Sequence, residues 1–136
     1  MIDNSKDRKH DVFFYGLYMD DDILKRSGVY PVNPRIAYVK DYVLRIGKKA
    51  TLLRSRGEKA YGIVYSISHD DIDTLYNKAG LDDYAPEALI ANINNENIPV
   101  LCCNLIIPPE QNESNQEYAQ KLKESMHRLG VPCDLD

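Results

Sequence analysis

The segment AYGIVYSI, residues 60–67, constrains the fold more than any other stretch of the chain. Tyr61, Ile63, Tyr65 and Ile67 fall on one side of an extended backbone, and Gly62, Val64 and Ser66 fall on the other. That period of two is the signature of a strand, because successive Cβ atoms point to opposite faces. Ser68 follows at once and is well placed to cap a helix, with Asp70 and Asp71 in the first turn, where carboxylates face the positive end of the helix dipole. SHDDIDTLYNKAG therefore predicts a helix ending at Gly80.

The rest of the sheet is legible in pieces. IAYVKDYVLRI, residues 36–46, is rich in β-branched and aromatic residues and reads as a strand whose facing shifts near Lys40-Asp41, with Gly47 closing it. Thr51–Leu53 is a short strand candidate, followed by a polar turn, Ser55–Lys59, around Gly57. Ala88–Ile93 and Ile98–Ile107 make two strands around Asn94-Asn95-Glu96-Asn97, a hairpin signal. After the polar connector 108–116, Tyr118, Leu122, Met126 and Leu129 form one helical stripe that must dock on the sheet, and Gly130 and Pro132 stop it. No repeat or second domain is visible, so the expectation is a single domain over 1–136. Its class is α+β: a mostly antiparallel, strongly bent sheet or small barrel with two or three flanking helices.

Composition narrows the function. A chain of 136 residues is long enough to bury about 68% of the surface its unfolded form exposes. No apolar stretch approaches the ~20 residues of a membrane helix, and the charged start MIDNSKDRKHD lacks the apolar segment of a secretion signal. A cytoplasmic protein with reduced cysteines, without a membrane partner, is expected. The formal charge of −4 argues against a partner bound through nucleic-acid phosphates. One basic cluster stands out: Arg45, Lys48, Lys49, Arg54, Arg56 and Lys59 against Glu58 alone. It is either a solvated pair of loops or a patch that steers small carboxylates toward a cleft.

The candidate site lies in VFFYGLYMDDDIL, residues 12–24. Val12–Tyr15 reads as a buried strand and Asp20–Asp22 as a helix start, so a tight loop over a helix start links them. Converging backbone N–H groups in such a loop suit an anion, and Gly16 would let the backbone come close to it. The aspartates need no cation to explain them. His10, His69 and His127 are far apart without a second ligand at metal spacing, so no metal site is expected.

Taken in order, several segments resemble the gamma-glutamylcyclotransferase fold family, also called AIG2-like. Phe13-Phe14-Tyr15-Gly16 followed by Met19 resembles its opening strand and Tyr-Gly-x-x-Met type loop. LRIGKKATL, residues 44–52, resembles its glycine-marked second segment. AYGIVYSIS with DIDTLYNKAG resembles the strand and helix that carry the catalytic carboxylate, and the helix ending MHRLGVP resembles the last element. The match covers nearly the whole chain. It implies a small barrel whose Tyr15-Gly16-Leu17-Tyr18 loop offers backbone N–H groups to a glutamyl-like carboxylate. It also implies a reaction without metal or cofactor, in which a gamma-glutamyl group closes onto its own amine, forming 5-oxoproline and releasing an amine or amino acid. A glutamate in a Leu-Asp-x-x-Glu-Gly pattern moves the proton from the attacking amine to the leaving one.

Here that pattern reads Leu75-Tyr76-Asn77-Lys78-Ala79-Gly80, so Ala79 occupies the vacated catalytic position. General acid–base catalysis typically supplies ~10² to 10⁴ in rate, about 3 to 5.5 kcal/mol of barrier, and alanine carries no proton. Pro86 likewise replaces the arginine of a Tyr-x-Arg that often follows in the family. Three functions of different classes remain: an enzyme with a relocated carboxylate, a binding module that keeps the pocket without the chemistry, and a protein-interaction domain. For the enzyme, Glu87 is the first candidate, although a residue opening a strand beside Pro86 also has reason to face water; Asp82 and Asp83 come after it.

Overall fold

The computed structural model describes residues 5, 7–78 and 83–133. The elements run β1 (Lys9–Phe14), a 3₁₀ turn (Leu17–Met19), α1 (Asp21–Arg26), β2 (Val32–Ile46), β3 (Ala50–Ser68), α2 (His69–Lys78), β4 (Tyr84–Ile93), β5 (Glu96–Leu105) and α3 (Gln116–Leu129). Among the described residues five strands close a barrel in the order β1-β3-β2-β4-β5, the α+β architecture expected from the sequence. Neighbours pair antiparallel except at the closing seam, where β1 meets β5 in parallel through Val12 opposite Leu101 and Phe13 opposite Cys102.

The alternation in 60–67 sorts the core into two. Ala60 and Val64 face the barrel interior with Phe13, Val39, Leu89, Val100 and Cys102. Ile63, Tyr65 and Ile67 face outward with Val12 and Phe14, and are covered by Leu24 of α1, Leu75 of α2, and Leu122 and Met126 of α3. The stripe on α3 docks as its spacing requires, Asn115 capping it by accepting the Tyr118 N–H at 3.0 Å and Gly130 ending it at φ 74°. Ser68 caps α2 through the Asp71 N–H at 3.1 Å. Among the described residues, no helix is long and apolar enough to cross a membrane.

One expectation is corrected. Thr51–Leu53 and residues 60–67 belong to the same strand, β3, and the polar stretch between them is a bulge rather than a turn. Lys40 pairs with Lys59 and Tyr42 with Arg54, so one residue of β2 faces the surplus of β3. Asp41 holds the bulge by accepting the Gly57 N–H at 2.9 Å, with both residues at positive φ. The same bulge turns β2 over, as its pattern suggested: Ala37 and Val39 pack inward before it, Tyr42, Leu44 and Ile46 after it. The β4–β5 turn is also shorter than the four residues marked in the sequence. Asn94 and Asn95 alone make it, at φ 51° and 67°, values that asparagine tolerates and a two-residue hairpin turn needs.

Asp20 fixes the start of α1. One carboxylate oxygen accepts the Asp22 N–H at 3.0 Å, and the other accepts from Arg128 of α3 at 2.5 Å. Asp20→Ala removes the cap and the ion pair together and is expected to destabilise the protein by about 2 kcal/mol. Asp20→Asn, which keeps the capping oxygen, should recover at least half of that in urea-unfolding midpoints; equal losses would show that the cap contributes little.

Candidate functional site

The end of β1 opens into a cavity of about 350 Å³. Tyr15, Gly16, Leu17 and Tyr18 all line it, so the whole loop singled out in the sequence is present at one site. Four further polar contributors come from distant parts of the chain: Lys48 and Lys49 from the β2–β3 turn, Tyr84 from β4 and Tyr118 from α3. Cys103 of β5 also lines it, while its neighbour Cys102 is buried in the barrel, as alternation along a strand dictates.

Hydrogen bonds hold the walls. The Tyr15 hydroxyl donates to the Cys103 carbonyl at 2.5 Å, tying the loop to β5, and the Tyr84 hydroxyl donates to the Ala50 carbonyl at 2.6 Å, tying β4 to β3. Beneath the loop, the Tyr65 hydroxyl donates to the Met19 carbonyl at 2.6 Å. The Tyr118 hydroxyl accepts the Leu17 N–H at 3.2 Å. Burial pushes all four of these hydroxyls above the usual tyrosine range, Tyr65 to about 12 with the nearby Asp21 and Asp20 adding to the effect. At Tyr118 the Leu17 N–H works in the opposite direction by favouring the phenolate.

Tyr118 also accounts for Gly16. The glycine sits at φ −114°, a conformation any residue adopts, but a Cβ there would collide with the Tyr118 hydroxyl oxygen. The absent side chain makes room for a tyrosine from α3, and that tyrosine takes one of the loop's backbone donors. Sequence reasoning saw the need for space at Gly16 but had no means of assigning it to a residue so distant in the chain.

Of the proposed proton carriers, the two that are described, Glu87 and Asp83, do not line the cavity. Ala79 and Asp82 lie outside the described residues. Glu87 pairs with Cys102 across β4–β5, is exposed, and does not line the cavity. Asp83 is also exposed, but its carboxylate lies 2.7 Å from Nζ of the lining residue Lys49. Among the described residues no carboxylate side chain lines the cavity. The aspartates after the loop serve the helix: Asp20 as above, and Asp21 beside Lys25 at 3.4 Å. His10 and His69, remote in sequence, meet on the surface with ring nitrogens 3.4 Å apart.

No family model matches the sequence, and no curated protein is significantly similar to it. Solved structures are similar to it. A gamma-glutamyl cyclotransferase superposes with a TM-score of 0.77 at 17% identity, over 93% of this chain and 83% of the other. YkqA from Bacillus subtilis gives 0.75 at 21% identity over 88% of this chain and 49% of its own, so the chain spans about half the length of YkqA. An AIG2-like protein from Mus musculus gives 0.59 at 12% identity, over 81% and 90%. These likenesses, with the five-stranded barrel and its helices, identify the architecture: this chain has the gamma-glutamylcyclotransferase-like fold.

Proposed function

We propose that this chain binds a small gamma-glutamyl or similar carboxylate ligand in the cavity at the Tyr15–Tyr18 loop, without turning it over. The observation that carries the reading is the composition of the wall. It has a loop, the Tyr118 hydroxyl and two lysines to receive an anion, and among the described residues no carboxylate side chain to move a proton. Ala79 at the vacated position supports the same reading, since nothing at that position carries the proton from the attacking amine to the leaving one.

Calorimetry with gamma-glutamyl dipeptides, run beside an assay for 5-oxoproline, tests it. Saturable binding with no 5-oxoproline release is expected, and Gly16→Val, which drives a side chain into Tyr118, should weaken binding at least tenfold while the circular dichroism stays unchanged. Release of 5-oxoproline by the parent would overturn the binding-only reading.

A second reading has one observation in its favour, the Asp83 carboxylate beside Lys49 at 2.7 Å. If the protein does turn over a gamma-glutamyl substrate, Asp83 is the better-placed carrier than Glu87. Asp83→Asn would then abolish release and Glu87→Gln would leave it.

A further inference from the structure

We infer that Lys48 selects ligands that carry a second negative charge, at the end remote from the glutamyl group; this rests on the pocket reading above. Gly47, Lys48 and Lys49 form the turn between β2 and β3. A Cβ at Gly47 would strike Pro109, so the tip of this hairpin is packed down on the connector before α3. Glu113 of that connector orders the turn: one carboxylate oxygen accepts the Glu110 N–H at 2.6 Å and the other lies 3.5 Å from the Lys48 N–H. Both oxygens are thus directed at backbone groups.

The two lysines then differ in their partners. Lys49 is matched by Asp83 at 2.7 Å, whereas Lys48 has no ion-pair partner among the described residues. Both line the cavity, and the remaining walls are apolar residues, tyrosines, Gly16 and Cys103. An uncompensated ammonium beside an apolar cavity attracts a group of opposite charge and disfavours a cation there, and next to a low-dielectric wall it is screened less than on an open surface. A gamma-glutamyl ligand presents an amine and an α-carboxylate at its glutamyl end. If the Gly16 loop receives that end, the charge at Lys48 is left for the other end. A dipeptide ending in a carboxylate satisfies it; an amide of the same length ending in a methyl group does not.

Calorimetry on the full chain separates the possibilities, using gamma-glutamylglycine and gamma-glutamylethylamide as a matched pair. The parent should bind the dipeptide about fivefold more tightly, the upper range for an exposed ion pair. Lys48→Met should erase that preference, bringing the dipeptide and the amide to equal affinity, and raising the salt concentration should shrink it in the parent. Equal affinities in the parent, or a preference that survives in Lys48→Met, would overturn the role of Lys48 while leaving the pocket reading intact. Binding of neither ligand would overturn both.

Discussion

Gly62→Ala should destabilise this protein by about 2–3 kcal/mol, the upper range for overpacking a tight interior site. A Cβ at this position meets the Phe14 carbonyl oxygen and the edge of the Phe13 ring, both closer than carbon atoms in folded proteins approach. The carbonyl belongs to the backbone of β1, which is paired with β3 at this point, Phe14 opposite Ile63 and Phe13 opposite Val64. Relief therefore requires the two strands to separate rather than a side chain to turn. Urea unfolding should show a lower midpoint with the slope unchanged, the mark of lost stability without a changed denatured state. Phe13→Leu in the same background should restore only part of the loss, because it removes the ring and leaves the carbonyl. A midpoint within experimental error of the parent would show that β1 shifts freely.

Alkali should unfold the protein through its tyrosines. Tyr15, Tyr65, Tyr84 and Tyr118 all hold their protons more tightly in the folded state than an exposed tyrosine does, chiefly because burial disfavours the phenolate. Below the unfolded pKa of about 10 both states are protonated and the stability is fully present. As the pH rises above it, the unfolded chain releases protons that the folded chain retains, so stability falls by about 1.4 kcal/mol per pH unit for each tyrosine still protonated. For Tyr65 the loss continues until the pH passes its folded value, about 12. Unfolding free energies measured from about pH 9 to 11 should drop steeply, and Tyr65→Phe should flatten the drop by roughly one group's share. A parent and a Tyr65→Phe variant with the same slope would rule out the buried hydroxyl as a source.

Local chemistry made much of this fold readable. Ser68 and Gly130 act as the caps their identities suggest, and the change of facing in β2 falls where Lys40-Asp41 interrupts the pattern. Ser55–Lys59 misled because a bulge and a turn use the same residues: polar side chains around a glycine with positive φ. What separates them is whether the flanking strands pair with the same neighbour, and that is decided by tertiary contacts. The candidate site divides in the same way. Tyr15–Tyr18 is one continuous loop and could be read directly, whereas Tyr84 and Tyr118 reach the cavity only after β4 and α3 have packed. Lys48 and Lys49 were visible as part of a basic cluster, and the hairpin that delivers them to the cavity separates them from Arg54, Arg56 and Lys59 near its bulge.

The parallel seam between β1 and β5 sets an order on biosynthesis. As the chain leaves the ribosome, β1 emerges first and gains β3 as a partner, but its other edge stays bare until Leu101 and Cys102 have followed. Through that interval a nascent chain presents an unpaired strand containing Val12, Phe13 and Phe14, the kind of edge on which another chain can add. Slowing translation between β3 and β5, or removing chaperones that shield apolar strands, should therefore raise the aggregated fraction of newly made protein while leaving the finished, closed ring untouched.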